Sequence, residues 1–103
     1  MPVDAAAMAA CAHSLRAQAE QHPDPTEAAR LASQAAMMLT LLGQHEQARE
    51  LAHFALARQP ARERLKDRTV TELRLAQVHQ FAGDLATAES LLANLVARCR
   101  DEP

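Results

Sequence analysis

The chain contains neither tryptophan nor tyrosine, and Phe54 and Phe81 are its only phenylalanines. So few rings exclude a core of large interlocking aromatic side chains. Glycine is equally scarce, at positions 43 and 83 only, and no segment alternates polar and apolar residues long enough to favour a strand. Apolar residues, alanine above all, make up 49% of the 103 positions. We therefore expect one small all-α domain of closely spaced helices.

The chain also lacks an excess of charge of one sign. Its 11 Lys and Arg residues and 13 Asp and Glu residues give a formal net charge of -2. A nearly neutral chain has no extended positive surface for nucleic acid or anionic lipid, so we expect neither as a partner. Residues 58–68 are locally basic. The structural alternatives for this stretch are a helix extension and a connector, and we interpret its charge as that of a solvated turn.

The two cysteines, Cys11 and Cys99, lie near opposite ends of the chain. Two isolated cysteines do not form a disulfide framework, and we expect both to be small buried side chains in a reducing compartment. Residues 1–12 contain no Lys or Arg, unlike the start of a secretory signal. No apolar run is long enough to span a membrane. These features predict a cytoplasmic location.

The local signals predict about five helices, at residues 4–21, 25–42, 45–59, 69–82 and 85–100. The sequence Asp24-Pro25-Thr26-Glu27 combines an N-cap aspartate, a proline in the first turn and a glutamate that can reach back to the cap. Gly43 is expected to end the second helix in the left-handed conformation. The third helix should bury four residues: Ala48, Leu51, Ala52 and Ala55.

The last two helices are delimited by similar signals. Thr69-Val70-Thr71-Glu72 has the form of a capping box that would start the fourth helix. Gly83 should end that helix as Gly43 ends the second. Asp84 is then placed to cap the fifth helix.

Small residues recur around the two glycines at an interval of forty positions. The first set is Ala36, Gly43, Ala48, Ala55 and Pro60, and the second is Ala76, Gly83 and Ala88, with Leu95 at the place of Ala55. This pattern resembles the tetratricopeptide repeat, a helix-turn-helix unit of about 34 residues. The longer interval, and the segment His22-Pro23-Asp24-Pro25-Thr26, resemble the lengthened repeats of kinesin light chains and some bacterial regulators.

This resemblance implies a single domain of antiparallel helical hairpins, stacked as a short right-handed superhelix. Residues 1–22 would form a leading helix, residues 24–60 the first repeat and residues 61–100 the second. Members of this family bind protein partners in a concave groove that is lined by the first helix of each hairpin. The implied function is therefore a non-catalytic module for binding a peptide or protein of unknown identity.

The groove that the resemblance implies can be located on the second and fourth helices. Its expected lining is Arg30, Ser33, Met37, Thr40, Leu41, Val70, Leu73, Gln77, Gln80 and Phe81. Flexible and aromatic apolar groups beside amide and guanidinium groups would suit an extended or helical peptide. The alternative is that these residues pack on the first helix or on a second copy of the chain.

The sequence offers no catalytic or cofactor-binding pattern. It has no Gly-rich phosphate loop, no His-Glu-x-x-His, no Cys-x-x-Cys and no nucleophile elbow. His45 and His53 lie close to one helix face, but their spacing supplies no third ligand for a metal. We expect no enzymatic activity, no cofactor and no metal.

Homodimerisation is a further expectation. Two hairpins and a leading helix fall short of the three or more repeats that such stacks usually need. The fifth helix has apolar residues over an arc wider than one neighbouring helix can cover. We predict self-association through Leu91, Leu92, Leu95 and Val96. The alternative is that the first helix folds across this face.

Overall fold

The computed structural model describes residues 4–59 and 65–101, and of residues 65–68 it describes the backbone only. All regular structure in this part of the chain is helical, so the all-α prediction is confirmed. The helices are α1 (Ala5–Gln21), α2 (Pro25–Leu41), α3 (His45–Arg58), α4 (Leu65–Phe81) and α5 (Leu85–Asp101). α3 ends at Arg58, within one residue of its predicted end before Pro60, and Pro60 itself lies outside the described residues.

Aspartates cap the helices at the predicted places. Oδ1 of Asp24 accepts a hydrogen bond from the backbone N–H of Thr26 at 3.1 Å, with Pro25 in the first turn of α2. Oδ1 of Asp84 accepts from the N–H of Thr87 at 3.3 Å at the start of α5. Each carboxylate thus satisfies an N–H that the helix itself leaves without a partner.

The capping box predicted for Glu27 does not form. The backbone N–H of Asp24, which Glu27 was expected to bind, instead donates to Nδ1 of His22 at 3.1 Å. Glu27 bonds to Nε of Arg30 at 3.1 Å. The ring of His22 therefore accepts the hydrogen bond from the Asp24 N–H that Glu27 would accept in a capping box.

Both glycines end their helices in the left-handed conformation, as predicted. The φ angle is 79° at Gly43 and 84° at Gly83. The N–H of Gly43 donates to the carbonyl of Thr40 at 3.0 Å, and the N–H of Gln44 donates to that of Leu39 at 2.9 Å. This pair of bonds is the Schellman motif, and the same pair recurs at Gly83.

The predicted start of the fourth helix is wrong. α4 already includes Leu65, so Thr69 and Glu72 lie inside the helix and cannot form a capping box. The carboxylate of Glu72 is used elsewhere, because it accepts hydrogen bonds from Arg98 of α5. A Thr-x-x-Glu spacing is equally compatible with a helix interior, where tertiary contacts determine the partners of the two side chains.

The helices form two hairpins that pack on one another. α2 contacts α1, α3 and α4, while α5 packs mainly against α4. The residues predicted to be buried on α3 are all buried. Fully buried alanines on α1, α2 and α3, such as Ala12, Ala36 and Ala48, let these helices approach closely. Leu39, Leu51 and Leu75 are the largest fully buried side chains among the described residues.

The prediction that both cysteines are buried is wrong. Cys11 and Cys99 are free and exposed. Ala12 is fully buried, but successive residues on a helix point about 100° apart. The burial of Ala12 therefore does not extend to its neighbour Cys11.

Candidate protein-binding face

Large apolar side chains remain exposed on the outer sides of α2 and α4. Leu41 is 67% exposed and Phe81 is 61% exposed, at equivalent positions near the ends of the two helices. Val70 in the first half of α4 and Leu73 at its middle are also exposed. These four side chains belong to the predicted groove, and each leaves 44% or more of its surface exposed.

A polar contact between the two helices shows how these exposed residues are arranged. Nη1 of Arg74 on α4 donates to Oγ of Ser33 on α2 at 3.2 Å. Arg30 and Met37 lie within one turn of Ser33, and Val70 and Gln77 lie within one turn of Arg74. Residues of the predicted groove on both helices therefore lie next to this contact.

We call this surface the α2–α4 face. Its exposed members are Arg30, Leu41, Val70, Leu73, Gln77, Gln80 and Phe81, and Met37 is half-buried. The apolar groups can desolvate a partner, and the two exposed glutamines can donate to and accept from its backbone.

Two residues of the predicted groove are not on its surface. Ser33 and Thr40 are buried. Oγ of Ser33 donates to the carbonyl of Arg30 at 2.7 Å, and Oγ1 of Thr40 donates to the carbonyl of Ala36 at 2.9 Å. The Thr40 hydroxyl is thus satisfied within α2, and the Ser33 hydroxyl within α2 and by Arg74 of α4, so neither is available to a partner.

Arg30 is the charged member of the α2–α4 face, and its charge is already partly neutralised. Its guanidinium bonds to the carboxylate of Glu27 one turn earlier. This hydrogen bond lowers the pKa of Glu27 and raises the pKa of Arg30. A partner that approaches Arg30 therefore meets an ion pair, which gives little reason for a strongly acidic ligand.

A second exposed apolar surface lies on α5. Leu92 is 41% exposed and Val96 is 54% exposed. By contrast, Leu95 is buried, and Leu91 is half-buried and packed against the core. Of the residues predicted for self-association, the structure thus leaves Leu92 and Val96 accessible and turns Leu91 and Leu95 inward.

A polar depression lies where α3 meets the start of α5. It is lined by Glu46, Arg49, Glu50, His53 and Asp84. The ring of His53 lies 5.5 Å, centroid to centroid, from that of the buried His79. Over residues 4–59 and 65–101, no group of three or more His, Cys, Asp or Glu side chains is placed to hold a metal ion.

Two polar residues beside the predicted groove, Gln34 and Arg74, were not predicted from the sequence. Arg74 bonds to Ser33 there, and Gln34 is half-buried one turn after Arg30. The forty-residue interval could have identified both, because Gln34 and Arg74 occupy equivalent positions in the two hairpins. Their spacing of four from Arg30 and Val70 places them on the same helix face.

Comparisons of the chain with protein-family models, with curated proteins and with solved structures find no match. In the part of the chain that the structure describes, no helix has the length and apolar character needed to cross a bilayer.

Proposed function

We propose that this protein is a non-catalytic protein–protein interaction module that binds a peptide on its α2–α4 face. The observation that carries the proposal is the exposure of Leu41, Val70, Leu73 and Phe81 on two adjacent helices. Small proteins rarely leave neighbouring large apolar groups in water without a use for them. The setting proposed is the cytoplasm.

The arrangement of hairpins supports a repeat of the tetratricopeptide kind, stacked as a short right-handed superhelix. Both hairpins turn at a glycine with positive φ, forty residues apart. α2 packs against α4, the first helix of the next hairpin, as stacked repeats require. In such a stack the first helices of successive hairpins line the binding surface, and these are α2 and α4.

The proposed partner is a segment with apolar side chains spaced to meet both helices. An amphipathic helix or an extended strand could present them. The glutamines Gln77 and Gln80 would bond to its backbone, while the apolar groups supply most of the affinity. Because Arg30 is paired with Glu27, we expect apolar burial and not charge to dominate the recognition.

The test begins by identifying partners from extracts of the native cell with wild-type protein and with Leu73→Glu. Leu73 is exposed, so this substitution should leave the fold intact while placing a charge in the face. Val96→Glu on α5 is the matched control, since it makes the same kind of change at another exposed position. Circular dichroism checks that both variants are folded.

A partner captured by the wild type and by Val96→Glu, but lost with Leu73→Glu, supports the proposal. Titration calorimetry with the purified partner segment should then show a negative heat-capacity change, because apolar area is buried. Equal capture by all three proteins would mean that partners do not use the α2–α4 face.

Self-association is the second function that an observation favours. α5 packs mainly against α4, and its outer side leaves Leu92 and Val96 in water. A homodimer formed through this helix would cover these groups.

A further inference from the structure

The exposed residues on the outer side of α5 follow an order that is complementary to its own reverse. A shallow groove on this helix is lined by Glu89, Leu92, Ala93, Val96, Ala97 and Arg100. Their spacings of three and four place them on one stripe. Ala88 and Leu95, which are buried, point to the other side of the helix toward the rest of the protein. We call this stripe the α5 stripe.

Reversing the α5 stripe exchanges its members in complementary pairs. The midpoint lies between positions 94 and 95, so that reversal exchanges Glu89 with Arg100. It likewise exchanges Leu92 with Ala97, and Val96 with Ala93. Each acid is thus matched to a base and each large apolar side chain to an alanine.

The two ends of the α5 stripe carry opposite charges, Glu89 and Arg100. Over the described residues neither Glu89 nor Arg100 forms an ion pair. The positions three and four residues away along the stripe are apolar in both cases. Neither charge can therefore be paired along its own helix.

We propose that the α5 stripe binds the α5 stripe of a second copy of this chain, antiparallel, about a two-fold axis near positions 94 and 95. Glu89 of each copy then lies against Arg100 of the other, which gives two ion pairs for each dimer. This inference deepens the second function proposed above, self-association, and does not depend on the α2–α4 face.

A two-fold axis makes the same surface patch serve both copies, so the patch must complement itself. The antiparallel arrangement meets this condition in both charge and size. Leu92 and Val96 form ridges, and Ala97 and Ala93 form the hollows that receive them from the other copy. A parallel arrangement would place Glu89 beside Glu89 and ridge against ridge.

The size of the stripe sets the strength of the dimer. Stable complexes usually bury about 800 Å² on each partner, and the stripe covers only three turns of one helix. We therefore expect a weak dimer, with a dissociation constant on the order of micromolar to tens of micromolar. Sedimentation equilibrium should cover concentrations from about 1 μM to about 1 mM.

Charge reversal tests the proposed pairing. Glu89→Arg puts two bases at each end of the dimer contact, and Arg100→Glu puts two acids there. Each variant alone should raise the dissociation constant about tenfold, because two attractive pairs become repulsive. The double variant, which exchanges the two charges, should dimerise like the wild type. An equimolar mixture of the two single variants should form a heterodimer, since every pair in it is again attractive.

Ala97→Glu provides an independent test by filling the hollow proposed for Leu92 of the other copy, and it should abolish the dimer. Leu73→Glu on α4 is the control and should leave dimerisation unchanged. A wild type that stays monomeric at about 1 mM overturns both the pairing and self-association. A dimeric wild type that is indifferent to the charge reversals and to Ala97→Glu overturns the pairing alone. Circular dichroism confirms that each variant is helical.

Discussion

Glu72 on α4 is joined to Arg98 on α5 by hydrogen bonds from one guanidinium nitrogen to both carboxylate oxygens, each at 2.8 Å. The side chain of Glu72 is only 3% exposed, and that of Arg98 is 28% exposed. A carboxylate at this depth must keep its charged partners, because desolvation strongly disfavours an isolated charge. The contact therefore fixes how the two helices of the second hairpin lie against each other.

Removing the guanidinium of Arg98, which pairs with a buried carboxylate, should destabilise the protein more than removing an exposed guanidinium. We expect Arg98→Met to lower the free energy of unfolding by about 2 kcal/mol, below the range for fully buried pairs because Arg98 is partly solvated. Urea denaturation measures the change. The matched control is Arg16→Met, since Arg16 pairs with Glu20 on the surface of α1 and should contribute little. Equal effects of the two substitutions would show that Glu72 does not depend on Arg98.

The glycine turn after α2 should resist any side chain that disfavours positive φ. An added Cβ at Gly43 would meet no atom within 4 Å, so the cost is conformational and not steric. We expect Gly43→Val to destabilise by about 1 kcal/mol or more. Gly43→Asn should cost less, because asparagine tolerates the left-handed region. Thermal unfolding of the two variants, compared at equal concentration, checks the order, and a neutral valine would contradict it.

Overpacking should distinguish the inner and outer sides of α3. Ala48 is fully buried, whereas Ala57 on the same helix is exposed. Ala48→Leu should cost about 1–3 kcal/mol, because the larger side chain must force neighbouring helices apart. Ala57→Leu adds the same atoms in solvent and should change stability little. Urea denaturation of both variants provides the comparison. If Ala48→Leu is tolerated as well as Ala57→Leu, the close contact around Ala48 is not needed for stability.

The parts of the fold that could be predicted from the sequence depend on short-range interactions. Asp24 and Pro25 at a helix start, and Gly43 at a helix end, act through their own backbone conformation and the nearest N–H or carbonyl groups. Such effects require no knowledge of distant residues. For this reason the aspartate caps and the glycine turns agree with the sequence analysis, whereas the two capping boxes expected at Glu27 and at Thr69 do not form.

The remaining features depend on which helices meet, and a single sequence does not state this. Glu72 resembles a capping residue by spacing, but its position is decided by Arg98 on another helix. Ser33 has the spacing of a groove residue and is buried, with Arg74 of α4 bonded to its hydroxyl. Cysteine is usually a buried residue type, yet Cys11 lies on a side of α1 that faces solvent. In each case a tertiary contact, or its absence, outweighs the local signal.

The exposed apolar surfaces could be predicted only in part. The resemblance to a repeat family predicted the stripe that contains Leu41 and Phe81, because equivalent positions in two hairpins face the same way. It could not show that α4 covers one edge of α2, which removes Ser33 from the surface. On α5 the complementary order of Glu89 and Arg100 is present in the sequence. To interpret this order, one must know that α4 packs against the opposite side of α5.

The last prediction concerns a buried histidine in α4. His79 is fully buried, and its Nδ1 lies 3.3 Å from Oδ2 of Asp84, the residue that caps α5. Burial lowers the pKa of His79, against the opposing effect of the Asp84 carboxylate, and His53 and Arg49 lower it further. Between its lowered pKa and its ordinary value near 6.5, the unfolded chain binds more protons than the folded one. Stability should therefore fall as the pH decreases below about 6.5.

Urea denaturation at intervals from pH 8 to pH 5 measures this dependence. In His79→Leu the midpoint should change less over that range, because the group that must be protonated on unfolding is gone. His13→Gln is the control, since His13 is exposed on α1, and its variant should keep the wild-type slope. The pKa of Asp84 is also lowered, chiefly by its hydrogen bond to Thr87. Its contribution is lost only as the pH falls below its ordinary value of about 3.9, so the two groups titrate in separate ranges. A wild type whose midpoint is constant from pH 8 to pH 5 would contradict the assignment to His79.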